Sequence, residues 1–208
     1  MNESTVYVID DDPSVRRALD RLLRSHHRQV STYSSAQDFL SKKLDPGPAC
    51  IVLDLKMPEM SGLDLQQLLA PGRDHLPIVF ISGHGDISVS VRAMKAGAVD
   101  FLTKPFEASQ VLGAIDTALE RSRQACLSRE TFERDRMIFE SLSHRERQVC
   151  LRVAQGMLNK QIGGELGITE KTIKVHRGRV MQKLGAHSAA DLVRLVERLR
   201  ATGYFSNH

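Results

Sequence analysis

In the first half of this chain, apolar and β-branched runs repeatedly end on a charged residue. VYVID closes on Asp10 with Asp11 behind it, CIVLD closes on Asp54, and DFLTK closes on Lys104 just before Pro105. In an open parallel sheet the carboxyl ends of the strands share one edge, and ligand chemistry collects there. Residues dozens of positions apart are then expected in one pocket. Three carboxylates together repel unless a hard cation neutralises them, and Mg2+ suits an all-oxygen set, with Mn2+ as a substitute. A lysine beside them suits an incoming phosphoryl group.

Those runs alternate with longer amphipathic ones, the pattern of a parallel sheet flanked by helices. Strands are expected at Thr5–Asp10, Gln29–Tyr33, Ala49–Asp54, Ile78–Ser82 and Val99–Thr103. Helices are expected near Ser14–Ser25, Ala36–Lys42, Leu63–Leu69, Ile87–Ala96 and from Ala108 onward. Five such units make a small doubly wound α/β domain over residues 1–120. From Ala108 to about Glu140 there is no proline and one glycine, with charges of both signs interleaved. Residues 121–140 are therefore expected as an exposed helical linker, and a structureless tether is disfavoured by composition. An intersubunit coiled coil along Leu119 and Cys126 is a weaker alternative.

Residues 141–208 read as four short helices. Ser143 with Glu146 forms a capping box and Gly156 ends the first. The second runs from about Asn159 to Leu166, the third from Glu170 to Leu184 behind Thr169, and the fourth from Ala189 to Arg200 behind Ser188. Two short helices joined by LGIT, the second rich in Lys, Arg and His, form a helix-turn-helix.

Charge divides along the same line. Residues 1–125 carry 14 Lys/Arg against 16 Asp/Glu, a net of −2, whereas residues 141–208 carry 12 against 5, a net of +7. The second value suits a polyanion. No apolar run approaches the ~18 residues of a membrane span. The N-terminus lacks the basic-then-apolar pattern of a secretory signal, and Cys50, Cys126 and Cys150 are scattered without a CxxC pair. These features predict a cytoplasmic protein with reduced cysteines and no membrane partner.

Carboxylate nucleophiles form acyl phosphates when cations offset charge on the donor phosphoryl. Asp54, ending the central strand, is the expected phosphoacceptor. Asp11 is expected to bind Mg2+ directly and Asp10 directly or through water, with Asp54 and the Lys56 carbonyl completing the set. Ser82 and Lys104 are expected on the phosphoryl oxygens. Each of these residues alone has a plainer reading, since an Asp after a strand is often a turn or cap residue, as Asp12 before Pro13 is expected to be. His84 in SGHGD has no second ligand at metal spacing and reads as a loop residue. His26 and His27 are expected in solvent.

VYVIDDD, VLDLKMPEMSGLDL, FISGHGD and KAGAVDFLTKPF resemble the receiver domain of two-component response regulators. The resemblance covers residues 4 to about 120. It implies an acidic metal pair at Asp10 and Asp11, a phosphoacceptor at Asp54, a switch hydroxyl at Ser82 and a phosphate-binding Lys104. It also implies a cis Lys104–Pro105 bond and an aromatic switch at Phe101.

In the third basic-domain helix, Lys171, Lys174, His176, Arg177, Arg179 and Lys183 intersperse the apolar positions Ile173, Val180 and Leu184. Lys174, Arg177 and Gly178 fall on one side, so this edge is expected to enter a major groove. LSHRERQV and GMLNKQIGGELGITEKTIKVHRGRVMQKLG are similar to the LuxR/FixJ type of DNA-binding domain. That resemblance implies base contacts from Lys174 and Val175. Thr172, Arg177, Arg179 and Lys183 then lie nearer the phosphates, and Lys160 contacts the DNA backbone from the preceding helix. Three positions depart from the pattern. Leu158 stands where Ser is usual, leaving Asn159 to cap its helix; Gly163 replaces a small Ala; and Gly178 removes a groove-facing side chain.

Together these features predict a phosphorylation-switched transcription regulator. A histidine kinase is the expected donor and promoter DNA the target; the resemblance further implies a homodimer through the fourth-helix/fifth-strand face, a face the sequence itself does not reveal. Activation through RNA polymerase follows by family analogy. No independent substrate turnover is expected. One rival is a DNA-binding protein whose receiver dimerises without phosphate; the other is a Mg2+-dependent phosphohydrolase, disfavoured by the helix-turn-helix.

Overall fold

The computed structural model describes residues 4–44, 47–69, 75–83 and 87–207. His84 therefore lies outside the described residues. The chain divides into two compact units, Met1–Leu127 and Ser128–His208.

In the first unit five parallel strands stand in the order β2-β1-β3-β4-β5, where β1 is Thr5–Ile9, β2 Gln29–Tyr33, β3 Ala49–Asp54, β4 Ile78–Ser82 and β5 Asp100–Thr103. The intervening helices are α1 (Pro13–Ser25), α2 (Ala36–Ser41), α3 (Gly62–Leu69) and α4 (Ile87–Lys95). A fifth, α5, runs unbroken from Ala108 to Glu140 and crosses the division between the units.

Strand alternation sorts two cores. Tyr7, Ile9, Ile51, Leu53 and Phe80 pack with Phe39 of α2, Leu65 and Leu69 of α3 and Ala93 of α4. The alternate residues Val6, Val8, Cys50, Val52, Val79 and Ile81 pack with Leu19 and Leu23 of α1 and Val111, Ile115 and Leu119 of α5. Strands covered on both faces become continuous apolar runs, which is why β1, β3 and β4 read as unbroken hydrophobic stretches. Asp12 caps α1, its side chain accepting from the Ser14 N–H at 2.7 Å. His26 and His27 are exposed, and all three cysteines are free.

The second unit contains the last turns of α5, then α6 (His144–Ala154), α7 (Asn159–Leu166), α8 (Glu170–Leu184), α9 (Ala189–Ala201) and a 3-10 turn at Tyr204–Asn207. Val149, Cys150, Val153, Ile162, Ile173, Val180, Leu192, Val196 and Leu199 form its core. Ser143 and Glu146 make the expected capping box, and Gly167 and Gly185 take left-handed conformations (φ 66° and 60°) that end α7 and α8.

Residues 121–140 are helical throughout and mostly exposed or half-buried, but three of them point inward. Within the first unit, buried Ser122 accepts from the Ala49 N–H at 2.9 Å and donates to the His75 carbonyl. Within the second, Phe139 is buried against Tyr204 and Phe205, and buried Asp135 accepts from Arg198 at 2.6 Å. Scattered charges masked these few inward positions. Leu119, offered above as part of a coiled-coil seam, is fully buried in the first unit's core.

Candidate functional site

The strand register brings the charged strand ends together. β1 pairs with β3 through Ile9 and Leu53, β3 with β4 through Asp54 and Ile81, and β4 with β5 through Ser82 and Thr103. Asp10, Asp54, Ser82 and Lys104 therefore stand at or one residue past the carboxyl ends of four strands.

Lys104 Nζ donates to Asp10 Oδ2 and Asp54 Oδ1, each at 2.7 Å. Asp10 Oδ1 accepts from the Asp12 N–H at 2.8 Å, and Asp54 Oδ2 from the Lys56 N–H at 2.7 Å. Asp10, Asp54 and Ser82 are all buried. The Lys104 N–H bonds the Ser82 carbonyl at 2.7 Å, which ties the last two strand ends. The Lys104–Pro105 bond is cis. Phe101 is half-buried on β5, its ring 6.2 Å from that of Phe80.

Burial pushes the Asp10 carboxyl above its usual range, and the Asp54 charge adds to this; hydrogen bonds from Lys104 and the Asp12 N–H offset it only in part. For Lys104, burial alone lowers the pKa, but its hydrogen bonds to both carboxylates outweigh burial and hold the ammonium above its ordinary value. Lysine thus stays charged, and the acidic edge remains short of positive charge.

The Asp11 carboxylate does not join this pair. Its residue is exposed, and among the described residues no group of three or more His, Cys, Asp or Glu side chains is arranged to hold a metal ion. The expected three-carboxylate cluster is replaced by two carboxylates sharing one lysine, which relieves repulsion without the third. Lys104, expected on a phosphoryl oxygen, pairs here with both carboxylates. The donor chemistry still fits a divalent cation. Asp10, Asp11 and Asp54 offer oxygen only, as Mg2+ demands, and two of these carboxylates share a single ammonium.

Sequence reasoning overlooked two residues at this edge. Arg16 Nη1 donates to the carbonyls of Asp10 at 2.6 Å and Asp11 at 2.9 Å. A side chain that binds carbonyls five and six residues earlier leaves no periodic signature. A Cβ on Gly62 would lie 2.4 Å from the Asp54 carbonyl oxygen, so only glycine lets α3 start against the end of β3. The MSGLDL motif held that signal, since glycine opening a helix implies close backbone approach.

In the second unit a Cβ on Gly163 would lie 2.8 Å from the Ile168 carbonyl oxygen, so glycine permits the tight α7–α8 turn. On α8, Ile173 and Val180 are buried, while Lys171, Lys174, Val175, Gly178 and Arg179 are exposed and Thr172 is half-buried. Lys160, Lys171, Lys174 and Arg179 make no ion pair among the described residues. Two other expected DNA contacts have internal partners. Lys183 Nζ donates to buried Glu146 at 2.7 Å, and Arg177 Nη1 to Asn159 Oδ1 at 3.2 Å. The Lys183 hydrogen bond and those from Ser143 hold the Glu146 carboxyl at about 2.

Asn159 does not cap α7. Leu158 takes the N-cap position, Gln161 Oε1 accepts its N–H at 2.8 Å, and the Asn159 amide oxygen serves Arg177 instead.

Among the described residues no helix is long and apolar enough to cross a membrane. Residues 6–116 match the response regulator receiver domain, and residues 140–196 match the luxR family of bacterial regulatory proteins. The chain is 48% identical over 198 residues to the response regulator protein TmoT of Ectopseudomonas mendocina, covering 95% of this chain and 90% of that protein. It is 45% identical over 206 residues to nodulation protein W of Bradyrhizobium diazoefficiens, covering 99% and 89%. Its fold is similar to that of the response regulator StyR, with a TM-score of 0.85 at 49% identity, covering 94% of this chain and 99% of that one. Both family models match within this one polypeptide: the chain belongs to the two-component response regulators that carry a LuxR-type DNA-binding domain.

Proposed function

We propose that phosphoryl transfer from a histidine kinase to Asp54 switches DNA binding by the C-terminal unit. The observation that carries this reading is the shared ammonium of Lys104 on Asp10 and Asp54 at the ends of three strands. An Asp54 oxygen attacks phosphorus as the bond to the kinase's imidazole nitrogen breaks, and that nitrogen keeps the electron pair. Lys104 then exchanges an Asp54 oxygen for a phosphoryl oxygen, while the Lys56 N–H stays available to the acyl phosphate. Asp10, Asp11, Asp54 and the Lys56 carbonyl would hold Mg2+, or Mn2+ in its place. The ion's contribution, when bound, is positive charge against the phosphoryl oxygens.

In this reading Ser82 donates to the phosphoryl group and Phe101 moves into the space beside it. A differential affinity of a few kcal/mol is enough to shift such a two-state equilibrium. The face that responds is α4 with β5, where Ile87, Val91 and Met94 leave an apolar stripe in solvent, Ile87 being 79% exposed. Covering it in a homodimer would place two α8 helices on half-sites about one helical turn apart. Lys174 and Val175 would read bases, while Lys160, Lys171, Thr172 and Arg179 would bind phosphates. Activation through RNA polymerase in the cytoplasm completes the proposal.

Intact-mass analysis after treatment with acetyl phosphate and Mg2+ tests the first step. One phosphoryl adduct is expected on the wild type and none on Asp54→Asn. An adduct of equal yield on Asp54→Asn would place the acceptor elsewhere.

A further inference from the structure

The Arg16 guanidinium has no part in the phosphoryl chemistry above, yet it binds the backbone on which that chemistry depends. A single nitrogen, Nη1, bridges two successive carbonyls, those of Asp10 and Asp11, at 2.6 and 2.9 Å. The Arg16 N–H joins the first turn of α1 through the Asp12 carbonyl at 3.1 Å, and the Asp12 side chain caps that turn. The loop between β1 and α1 is thus fixed from the helix side by Arg16 and from the sheet side by Lys104, which holds the Asp10 carboxylate. Among the described residues Asp11 is fixed through its backbone carbonyl, and its residue is exposed. Two peptide planes aimed at one donor have little freedom to rotate, and charge-assisted hydrogen bonds are the strong ones.

We infer that Arg16 is a positioning residue for the acid pair: by bridging the Asp10 and Asp11 carbonyls it holds the loop from which both carboxylates reach a divalent cation. The inference rests on the reading of this edge as a cation site. Its sign is opposite to the one that charge alone would give. A guanidinium near a cation site repels the cation, so its removal strengthens binding if Arg16 acts only as a charge. Loss of a residue that orients ligands weakens binding, by about 10-fold or more. Arg17 is the internal control: it sits one position along the same helix, carries the same charge, and among the described residues reaches only Ser14 Oγ, at 3.4 Å.

Mn2+ binding to the full chain, read from the loss of the free-ion electron paramagnetic resonance signal, separates the two roles without any phosphodonor. Arg16→Gln is expected to bind Mn2+ about 10-fold more weakly than the wild type, while Arg17→Gln is expected to bind equally or slightly more tightly. Arg16→Lys keeps the charge, but its ammonium lacks the reach of the fork, and is expected to fall between. Equal or tighter binding by Arg16→Gln overturns the inference. Should that variant fail to fold, wild-type affinity in Arg16→Lys overturns it equally. A wild type that takes up no Mn2+ would instead defeat the reading of the edge as a cation site.

Discussion

Lys104 Nζ stands 2.7 Å from Asp54 Oδ1, and the same ammonium lies 2.7 Å from Asp10 Oδ2. One cation from the end of β5 therefore holds two carboxylates from β1 and β3 in a largely water-free edge. A charge removed from this trio leaves its partners buried and unmatched, which costs more than an exposed pair ever contributes.

Lys104→Met is accordingly expected to destabilise the receiver unit by about 3 kcal/mol, the lower part of the range for a broken buried pair because Lys104 keeps some solvent contact. The deficit is expected to shrink in acid. Asp10 titrates above its unfolded value, so the folded state takes up the proton more readily and gains stability as the pH falls through the raised pKa. Urea unfolding near neutrality and at about pH 5 checks this; a deficit that grows on acidification contradicts it.

The Glu146–Lys183 pair has the opposite sign. Its folded-state carboxyl titrates at about 2 against an ordinary value of 4.5. The stabilisation is fully present above the unfolded pKa and is lost as the pH falls from there towards the folded one. Protection factors of α6 and α8 amides, referred to the intrinsic exchange rate at each pH, should therefore fall across that interval in the wild type. Glu146→Gln should start from lower protection and change less over the same interval.

Two glycine substitutions should differ in sign. Gly62→Ala forces a Cβ to within 2.4 Å of the Asp54 carbonyl oxygen and 2.9 Å of the Phe80 ring. A loss of about 3 kcal/mol is expected, the upper end for overpacking, because one neighbour is backbone. Gly113 is exposed within α5, and a Cβ there meets nothing within 4 Å. Gly113→Ala should stabilise by about 0.5–1 kcal/mol. Thermal unfolding of both variants measures the contrast.

Much of the receiver edge was legible because backbone periodicity carries it. Asp10, Asp54 and Lys104 follow apolar runs, and a parallel sheet leaves their positions little choice. What could not be read was the partner of each charge. Nothing in the spacing shows that Lys104 bonds both carboxylates, that Asp11 stays outside, or that Arg16 turns back onto two carbonyls, since these depend on side-chain reach. The same limit applies to α8. Its basic residues are plain in the sequence, but Lys183 being held by Glu146 from 37 positions away is a tertiary fact. The inward positions of α5 escaped the sequence reading for a related reason. Phe132, Asp135 and Phe139 are too few among many charges to raise a periodic signal, yet they pack or pair within the second unit.

That internal pairing divides the basic residues of α8 by experiment. Arg179→Ala should weaken DNA binding and lower the slope of log affinity against log salt by about 1, the mark of a lost phosphate contact. Lys183→Met should instead lower the stability of the second unit and leave the slope nearly unchanged. Fluorescence anisotropy over a salt series, with unfolding measured alongside, distinguishes the two. A slope change of equal size in both variants would return Lys183 to the DNA surface.

The most direct measurement of the central claim is operator affinity before and after acetyl phosphate and Mg2+, in the wild type and in Asp54→Asn. The account predicts that the phosphodonor tightens binding by about 10-fold or more, the range of an ordinary coupling free energy between two sites, in the wild type and not in the variant. Equal tightening of both proteins, or of neither, would contradict it.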